Sequence, residues 1–499
     1  MMKVLLISVA GILSLFVCEA SPPNFIIIFA DDLGFGDLGC YGHPSSLTPN
    51  LDRLAMNGLR FTDFYSASPL CSPSRASLLT GRYPVRSGVY PKVFDAGSIG
   101  GLPLNETTIA EVLKPRGYAT ALVGKWHLGV GANGKFLPTN QGFDQFLGIP
   151  YAHNMGPCHN LTCFPPDVKC SGFCEVGTVL VPLMRNDTVI QQPVDFLTLE
   201  QKYSDVATTF IATAAEKQQP FFLFHSSQHT HGPPYAGVKA AGRSLRGPFG
   251  DALLEFDQTV GDILATLERT GVINNTLVFF TSDNGPSLVS YGGNSGLLKC
   301  GKGTTYDGGM RMPAIAFWPG VIKPGVTHEL ASTLDLLPTI TTLAGAKLPQ
   351  VQLDGVDMAN ILFNHTRSER ETMMFYPTTP PQQYGLFAVR WGKYKAHYYT
   401  SGSEFSDMSP NPDCPPSAKV KSHDPPLVFD LEADPSENFP LTLDDTPDLL
   451  ALVEKIKRVK EEFEATMEFG ESQILKGTDV ELEPCCNPRC TPKPTCCHC

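Results

Sequence analysis

Residues 24–32 read Asn24-Phe25-Ile26-Ile27-Ile28-Phe29-Ala30-Asp31-Asp32. An apolar run of this length, with no polar alternation, reads as a buried strand over 24–29, and it empties directly into two acids. The pattern returns along the chain. A strand over 119–123 runs into Gly124-Lys125-Trp126-His127, one over 220–227 into His229-Thr230-His231, and one over 276–282 into Asp283-Asn284-Gly285. Helical segments lie between them. Thr48-Pro49 starts a helix that reaches about residue 59, Thr108-Ile109-Ala110-Glu111 is a capping box, and 249–270 is a long amphipathic helix. Residues 312–318 form a further strand. Strands alternating with helices make an α/β fold. In an open α/β sheet, sites form outside the carboxyl ends of the strands. Four polar clusters in that one kind of position are therefore expected to converge on one cleft.

The texture changes after about residue 350. A hairpin over 387–399 turns at Gly392-Lys393, a short strand covers 426–431, a charged amphipathic helix covers 446–469, and a cysteine-rich tail closes the chain. The expected organisation is a leader at 1–20, an α/β domain at 21–350 and a smaller antiparallel-sheet domain with a helix at 351–499. The leader is secretory: Lys3 is followed by an apolar run over 4–17, and Cys18-Glu19-Ala20 supplies small residues for cleavage. The run is shorter than the roughly 20 residues of a membrane span, and no later segment is long and apolar enough. The mature chain is thus expected to start at Ser21, in the secretory pathway.

The formal charge of −12 argues against a nucleic-acid partner and against a generally basic surface for acidic lipids, so an anionic ligand would need a local basic pocket. Of 15 cysteines, Cys18 leaves with the leader. Two clusters stand out, Cys158, Cys163, Cys170 and Cys174, then Cys485, Cys486, Cys490, Cys496, Cys497 and Cys499. Zinc is the rival reading, but an oxidising compartment favours disulfides. Each cluster is expected to pair internally, with two bridges in the first and three in the second. Cys300 with Cys414 makes a long-range bridge and leaves Cys40 free. Asn105, Asn160, Asn186, Asn274 and Asn364 head N-glycosylation triplets.

Residues 71–82 carry the chemistry: Cys71-Ser72-Pro73-Ser74-Arg75-Ala76-Ser77-Leu78-Leu79-Thr80-Gly81-Arg82. Pro73 suits the first position of a helix and Gly81 its stop. A side chain at such a start lies near free amides and beside Arg75, where an anion binds well. On its own, a lone cysteine before a helix is a small packing residue. Asp31, Asp32, Asp283 and Asn284 offer oxygen ligands without imidazole or thiolate, a set for a hard cation, Ca²⁺ or Mg²⁺. Taken singly each is a cap or turn residue, but paired acids after two separate strands are harder to dismiss.

The 71–82 run resembles the signature of the sulfatase family, in the alkaline phosphatase superfamily. Gly124-Lys125-Trp126-His127-Leu128-Gly129 and Cys300-Gly301-Lys302-Gly303 resemble two further segments of that family. Phe29-Ala30-Asp31-Asp32-Leu33-Gly34, Gly142-Phe143, 147–151 and the cysteine tail resemble its lysosomal branch acting on cerebroside sulfate, over nearly the whole mature chain.

The resemblance implies a large mixed sheet flanked by helices. It also implies that Cys71 is oxidised to formylglycine by a formylglycine-generating enzyme. The hydrate of that aldehyde has two hydroxyls on one carbon: one attacks sulfur and expels the alcohol, and deprotonation of the other releases sulfate. A plain thiolate would instead leave a stable S-sulfonate. By the same resemblance residue 71, Asp31, Asp32, Asp283 and Asn284 hold Ca²⁺. Arg75 holds the hydrate, His127 is the base, Lys125 and Lys302 bind sulfate oxygens, and His231 or Lys302 donates to the leaving oxygen. One position departs: Ala152, in Pro150-Tyr151-Ala152-His153, stands where that branch carries a serine near the sulfate.

The implied function is hydrolysis of the 3-sulfate of galactosyl lipids in the lysosome, or after secretion, with the help of a lipid-presenting protein. Rival readings are a glycosaminoglycan sulfatase acting on galactosamine 6-sulfate, a phosphohydrolase, which Cys71 argues against, and an inactive binding relative, which would need neither metal ligands nor a modification motif. The 12 histidines equal the formal charge of −12 in number. With ordinary pKa values of about 6.5, they would discharge the chain in mild acid, and the same protonation would charge His231 and favour sulfate binding and leaving-group protonation. An acid activity optimum and a homo-oligomer that grows in acid are the expected consequences.

Overall fold

The computed structural model describes residues 21–156, 179–289, 292–380, 384–444, 446–487, 489–491, 496–497 and 499. The leader and the Cys158–Cys174 cluster lie outside the described residues.

An 11-stranded sheet forms the centre. Its strands are β1 (Asn24–Ala30), β2 (Leu59–Tyr65), β3 (Ala119–Gly124), β4 (Gln145–Gly148), β5 (Leu183–Arg185), β6 (Thr188–Gln191), β7 (Phe221–Ser226), β8 (Thr276–Ser282), β9 (Arg311–Phe317), β10 (Gly325–Thr327) and β11 (Ala331–Ser332). The spatial order is β10-β2-β9-β8-β1-β7-β3-β4-β5-β6, with β11 beside β2. The middle strands β8, β1, β7, β3 and β4 are mutually parallel, while β9 and β5 run antiparallel to their neighbours. The sheet is therefore mixed, as expected.

Its centre is apolar on both faces. Phe25, Ile27 and Phe29 enter one core, and Ile26, Ile28 and Ala30 enter the other. This is why β1 reads as an unbroken hydrophobic run. Burying such a side chain stabilises by roughly 1.5–3 kcal/mol.

A second sheet, order β12-β13-β14-β15, is antiparallel: β12 (Thr372–Phe375), β13 (Ala388–Trp391), β14 (Tyr394–Thr400) and β15 (Lys421–Asp430). The β13–β14 hairpin turns at Gly392, in the left-handed region at φ 56°, and Lys393. Ile456 of helix Leu449–Thr466 is buried with Met373, Phe375 and Val389. No helix among the described residues is long and apolar enough to cross a membrane.

Cys300 is bonded to Cys414, and Cys40 is free, as expected. In the tail, Cys485–Cys497 and Cys490–Cys496 are bonded. The third expected bridge is absent among the described residues. Cys486 and Cys499 are thiols in hydrogen-bond contact.

Helix Pro49–Asn57 begins where the sequence places it, but Thr48 does not cap it. The Thr48 hydroxyl donates to Asp52 at 3.1 Å. The free amides of Asn50 and Leu51 donate to Asp257, from helix Gly247–Arg269, at 3.1 and 2.8 Å. Burial pushes the Asp257 carboxyl up to about 6, against the lowering effect of those amides. A carboxyl raised on folding contributes stability that is complete below its unfolded value and lost as pH rises through its folded value. Asp257→Ala is expected to cost about 1–3 kcal/mol. In thermal melts the gap to wild type should widen from about pH 7 towards about pH 5, and a gap that narrows in acid would contradict this assignment.

Candidate active site

The register of the central strands builds the site. Ala30 of β1 pairs with Ser282 of β8, Phe29 with Ser226 of β7, and Ser226 with Gly124 of β3. The four strands end level, so the next residues, Asp31-Asp32, Asp283-Asn284, Ser227 and Lys125, meet at one edge. Gly124 is required there: at φ 115°, an added Cβ would lie 1.8 Å from the Ser226 carbonyl oxygen. That close approach lets the Lys125 amide donate to Ser226 at 2.6 Å. Asp32, at φ 57°, turns back so that its amide donates to Asp283 at 3.1 Å.

Helix Cys71–Thr80 points its N-terminus into the same space, with every residue buried, and stops at Gly81 in the left-handed region. Pro73 stands third in this helix rather than first, and Cys71 itself is the first helical residue. Proline is tolerated there because first-turn amides have no partner within the helix. Cys71 Sγ lies 3.6 Å from Asp31 Oδ1 and 3.5 Å from Lys302 Nζ.

One turn on, Arg75 donates from Nε and Nη2 to Asp283 Oδ2 at 3.1 and 2.8 Å, and from Nη1 to the Ser226 hydroxyl at 2.6 Å. Its Nη2 also lies 3.4 Å from Asp31. Lys125 donates to Asp31 at 2.7 Å. Lys302 donates to both oxygens of Asp32 at 2.7 and 2.8 Å, and Asn284 Nδ2 donates to Asp32 at 2.7 Å. His231 Nε2 is 3.7 Å from Asp32.

Asp31, Asp32, Cys71, Arg75, Lys125, His231, Asp283, Asn284 and Lys302 thus come together; the rings of His127 and His229 turn to other partners, although the His229 carbonyl accepts the Asp31 amide at 2.8 Å. His229 Nε2 is 2.9 Å from Glu255. His127 Nε2 is 3.0 Å from the Phe94 carbonyl, and the Phe94 amide donates to the Ser72 hydroxyl at 3.1 Å. Phe94 therefore ties His127 to the residue after Cys71. A carbonyl partner fixes the proton on Nε2 and leaves Nδ1, buried and without a hydrogen-bond partner among the described residues, as the basic nitrogen. Ser226 and Phe94 were not legible as site residues: one is a strand terminus and the other acts through its backbone.

Crowding dominates the electrostatics. Burial alone would raise Asp31, but Lys125, His231, Arg75 and Lys302 outweigh it and hold the carboxyl well below the usual range. Burial, and then the charge of Asp31, push Asp283 up to about 7 despite Arg75. Burial pushes the Cys71 thiol up to about 12, against Lys125 and Lys302, so the unmodified side chain stays protonated and unreactive. Burial, Lys125 and Arg75 hold His127 well below its ordinary value. The expectation that His231 charges in mild acid is corrected: burial first, then Lys302, hold it well below its ordinary value.

Asp31, Asp32 and Asp283 face Arg75, Lys125 and Lys302, so the pocket is balanced. A divalent cation would tip it positive within an acidic protein. The residues fit such an ion. Ligand atoms of Asp31, Asp32, Cys71 and His231 all lie within 4.8 Å of one another. Asn284 Oδ1 is buried without a hydrogen-bond partner among the described residues, as a ligand oxygen would be. The donors are mainly hard oxygens. Ala152 is buried and its side chain offers no polar atom, while the His153 ring stacks edge-on 5.4 Å from His231.

The pattern of the sulfatase family matches residues 23–346, and the C-terminal region of aryl-sulfatase matches residues 368–499. The chain is 55% identical to arylsulfatase A of Homo sapiens over 485 residues, 96% of each chain. It is 39% identical to N-acetylgalactosamine-6-sulfatase of Mus musculus, over 94% of this chain and 91% of that one. Among solved structures, the PsFucS1 sulfatase from Pseudoalteromonas sp. superposes with a TM-score of 0.74 at 31% identity, covering 89% of this chain and 90% of that one.

Asp283→Ala removes one oxygen of the site and leaves Arg75 without its nearest carboxylate. The variant is expected to bind divalent metal at least about 10-fold more weakly, measured by atomic emission after dialysis against graded chelator. Equal retention, or stoichiometric zinc in the wild type, would contradict the oxygen-ligand assignment.

Proposed function

The chain belongs to the sulfatase family, hydrolases of sulfuric esters, and from that premise we propose that it cleaves the 3-sulfate of galactosyl lipids in the lysosome, using a formylglycine formed from Cys71 and a bound Ca²⁺. The observation that carries the reading is the buried convergence of Cys71 with three carboxylates and three cations at the ends of parallel strands. A thiol held protonated by burial has no use as a nucleophile at such a place. A hydrated aldehyde there supplies a hydroxyl for attack on sulfur and a second one for the release of sulfate.

The roles of the chain's own residues follow from their positions. Arg75, anchored on Asp283 and Ser226, lies one helical turn from residue 71 and can hold its oxygens. Lys125 and Lys302, each within 2.7 Å of an aspartate, bring positive charge to the sulfate oxygens. Fixed cations aimed at developing charge lower the barrier because they need no reorganisation. His127 Nδ1 is the base that takes the proton when sulfate is released. Lys302 gives a proton to the leaving oxygen, while His231, kept neutral by burial and by Lys302, is the most exposed of these groups, at 9%. Metal identity follows the hard donor set, with Mg²⁺ as the alternative.

Identity of 55% to arylsulfatase A against 39% to N-acetylgalactosamine-6-sulfatase favours the lipid substrate. The second reading is a glycosaminoglycan sulfatase, supported by the latter relative's coverage of 94% of this chain. A lipid substrate calls for a lipid-presenting helper protein. Self-association in mild acid would rest on exposed histidines, since burial keeps His127, His153, His231 and His397 below their ordinary values.

Purified protein should release sulfate from cerebroside 3-sulfate and from an aryl sulfate in mild acid, with at least about 10-fold lower kcat/KM on galactosamine 6-sulfate. Peptide mass analysis should find an aldehyde at residue 71. The reverse preference would establish the polysaccharide reading, and a thiol at residue 71 in active enzyme would refute the mechanism.

A further inference from the structure

The loop that carries Lys302 has no regular secondary structure between residues 299 and 306, yet Lys302 must sit within 2.7 Å of Asp32. Most of what holds this loop comes from the second sheet and its connections. Cys300 is bonded to Cys414, between β14 and β15. Ser406 donates to the Lys302 carbonyl at 3.4 Å, and the Lys302 ammonium lies 5.0 Å from the Phe405 ring. The Gly303 amide donates to the Pro69 carbonyl at 3.0 Å, which ties the loop to the segment before Cys71.

The far end of the loop is held by a dry ionic cluster. Lys395 of β14 donates to the Thr305 carbonyl and to Asp307, both at 2.8 Å, and lies 2.9 Å from Glu437. The other oxygen of Glu437 accepts the Asp307 amide at 2.6 Å. His397 Nε2 is 2.7 Å from Glu437, and Lys299 donates to the Glu437 carbonyl at 3.1 Å. The side chains of Lys395, Asp307, Glu437 and His397 are all 0% exposed. Glu437 adopts φ 49°, in the left-handed region that costs a non-glycine residue energy.

A buried ionic cluster of this kind is a poor source of stability. Apolar side chains of similar volume are often as stable or more so. What the cluster provides is direction: the three donors of one ammonium fix a carbonyl and two carboxylates at once. We propose that Lys395 and Glu437 are positioning residues for Lys302, clamping Thr305 and Asp307 so that the ammonium of Lys302 is set against Asp32 and residue 71. The second sheet then takes part in turnover without touching substrate. The inference rests on the sulfate-ester reading of the site.

The test uses the full-length enzyme with 4-nitrophenyl sulfate as substrate and inorganic sulfate as competing ligand. Lys395→Met and Glu437→Gln are expected to lower kcat/KM by about 10- to 100-fold and to weaken sulfate inhibition; each takes a partner from a buried charge and so melts below wild type, and the kinetics are read on folded protein below its transition. Lys395→Arg should recover part of the loss. In a Lys302→Ala background, Lys395→Met should change kcat/KM by less than about 2-fold, since both act through one group. Folded variants with wild-type kinetics would overturn the inference, as would losses that multiply in the Lys302→Ala background. If Lys395→Met does not fold, Glu437→Gln decides by the same criteria. An inactive wild-type enzyme would instead remove the sulfatase reading itself, and this inference with it.

Discussion

Packing Asp31, Asp32 and Asp283 together, away from water, is the constraint on which the rest of the structure depends. Each carboxylate alone would be costly to bury, and their mutual repulsion adds to that cost. The fold meets it with Arg75, Lys125 and Lys302, drawn from a helix, a strand end and a loop. No local segment could supply all three. The parallel register of β8, β1, β7 and β3, the close approach at Gly124 and the clamp on the 299–306 loop all serve this one balance. Balance also suits a cation: with the carboxylates taken up as its ligands, the same three side chains would be free to face an anion.

That arrangement gives the cysteine its meaning. Residue 71 lies between Asp31 and Lys302 at the start of a fully buried helix. In that setting a thiol is driven towards its neutral form. The environment is thus poor for a thiolate and good for an oxygen nucleophile steadied by cations and a metal ion. In the proposed reaction carbonyl-anchored His127 would supply the base, kept in its neutral form by burial and by the positive groups beside it.

Much of the fold was legible because its central strands are apolar on both faces and end in charge. The run at 24–32, the cluster at 283–284 and the Thr108–Glu111 capping box each read correctly from a few residues. The hairpin at Gly392 was legible from turn chemistry. Helix Phe196–Glu216 and strand β2 went unread. Their apolar positions are interleaved with polar ones that only the packing shows to be buried, such as Glu200 and Asp63. Most residues named from motifs meet at one edge of the strands. What sequence could not show was who holds them. Ser226, Phe94, Lys395 and Glu437 act through backbone groups or across more than 80 residues of chain, and no spacing rule reaches that far.

The central claim is that residue 71, as a hydrated aldehyde, attacks sulfur and uses its second hydroxyl to let sulfate go. Cys71→Ser provides one hydroxyl and no aldehyde. Incubated with an aryl sulfate and analysed as intact protein and then as peptides, this variant should gain the mass of one SO₃ group on the introduced serine. The adduct should persist, with no turnover beyond it. Sustained turnover by the serine variant, or an adduct on any other residue, would contradict the account.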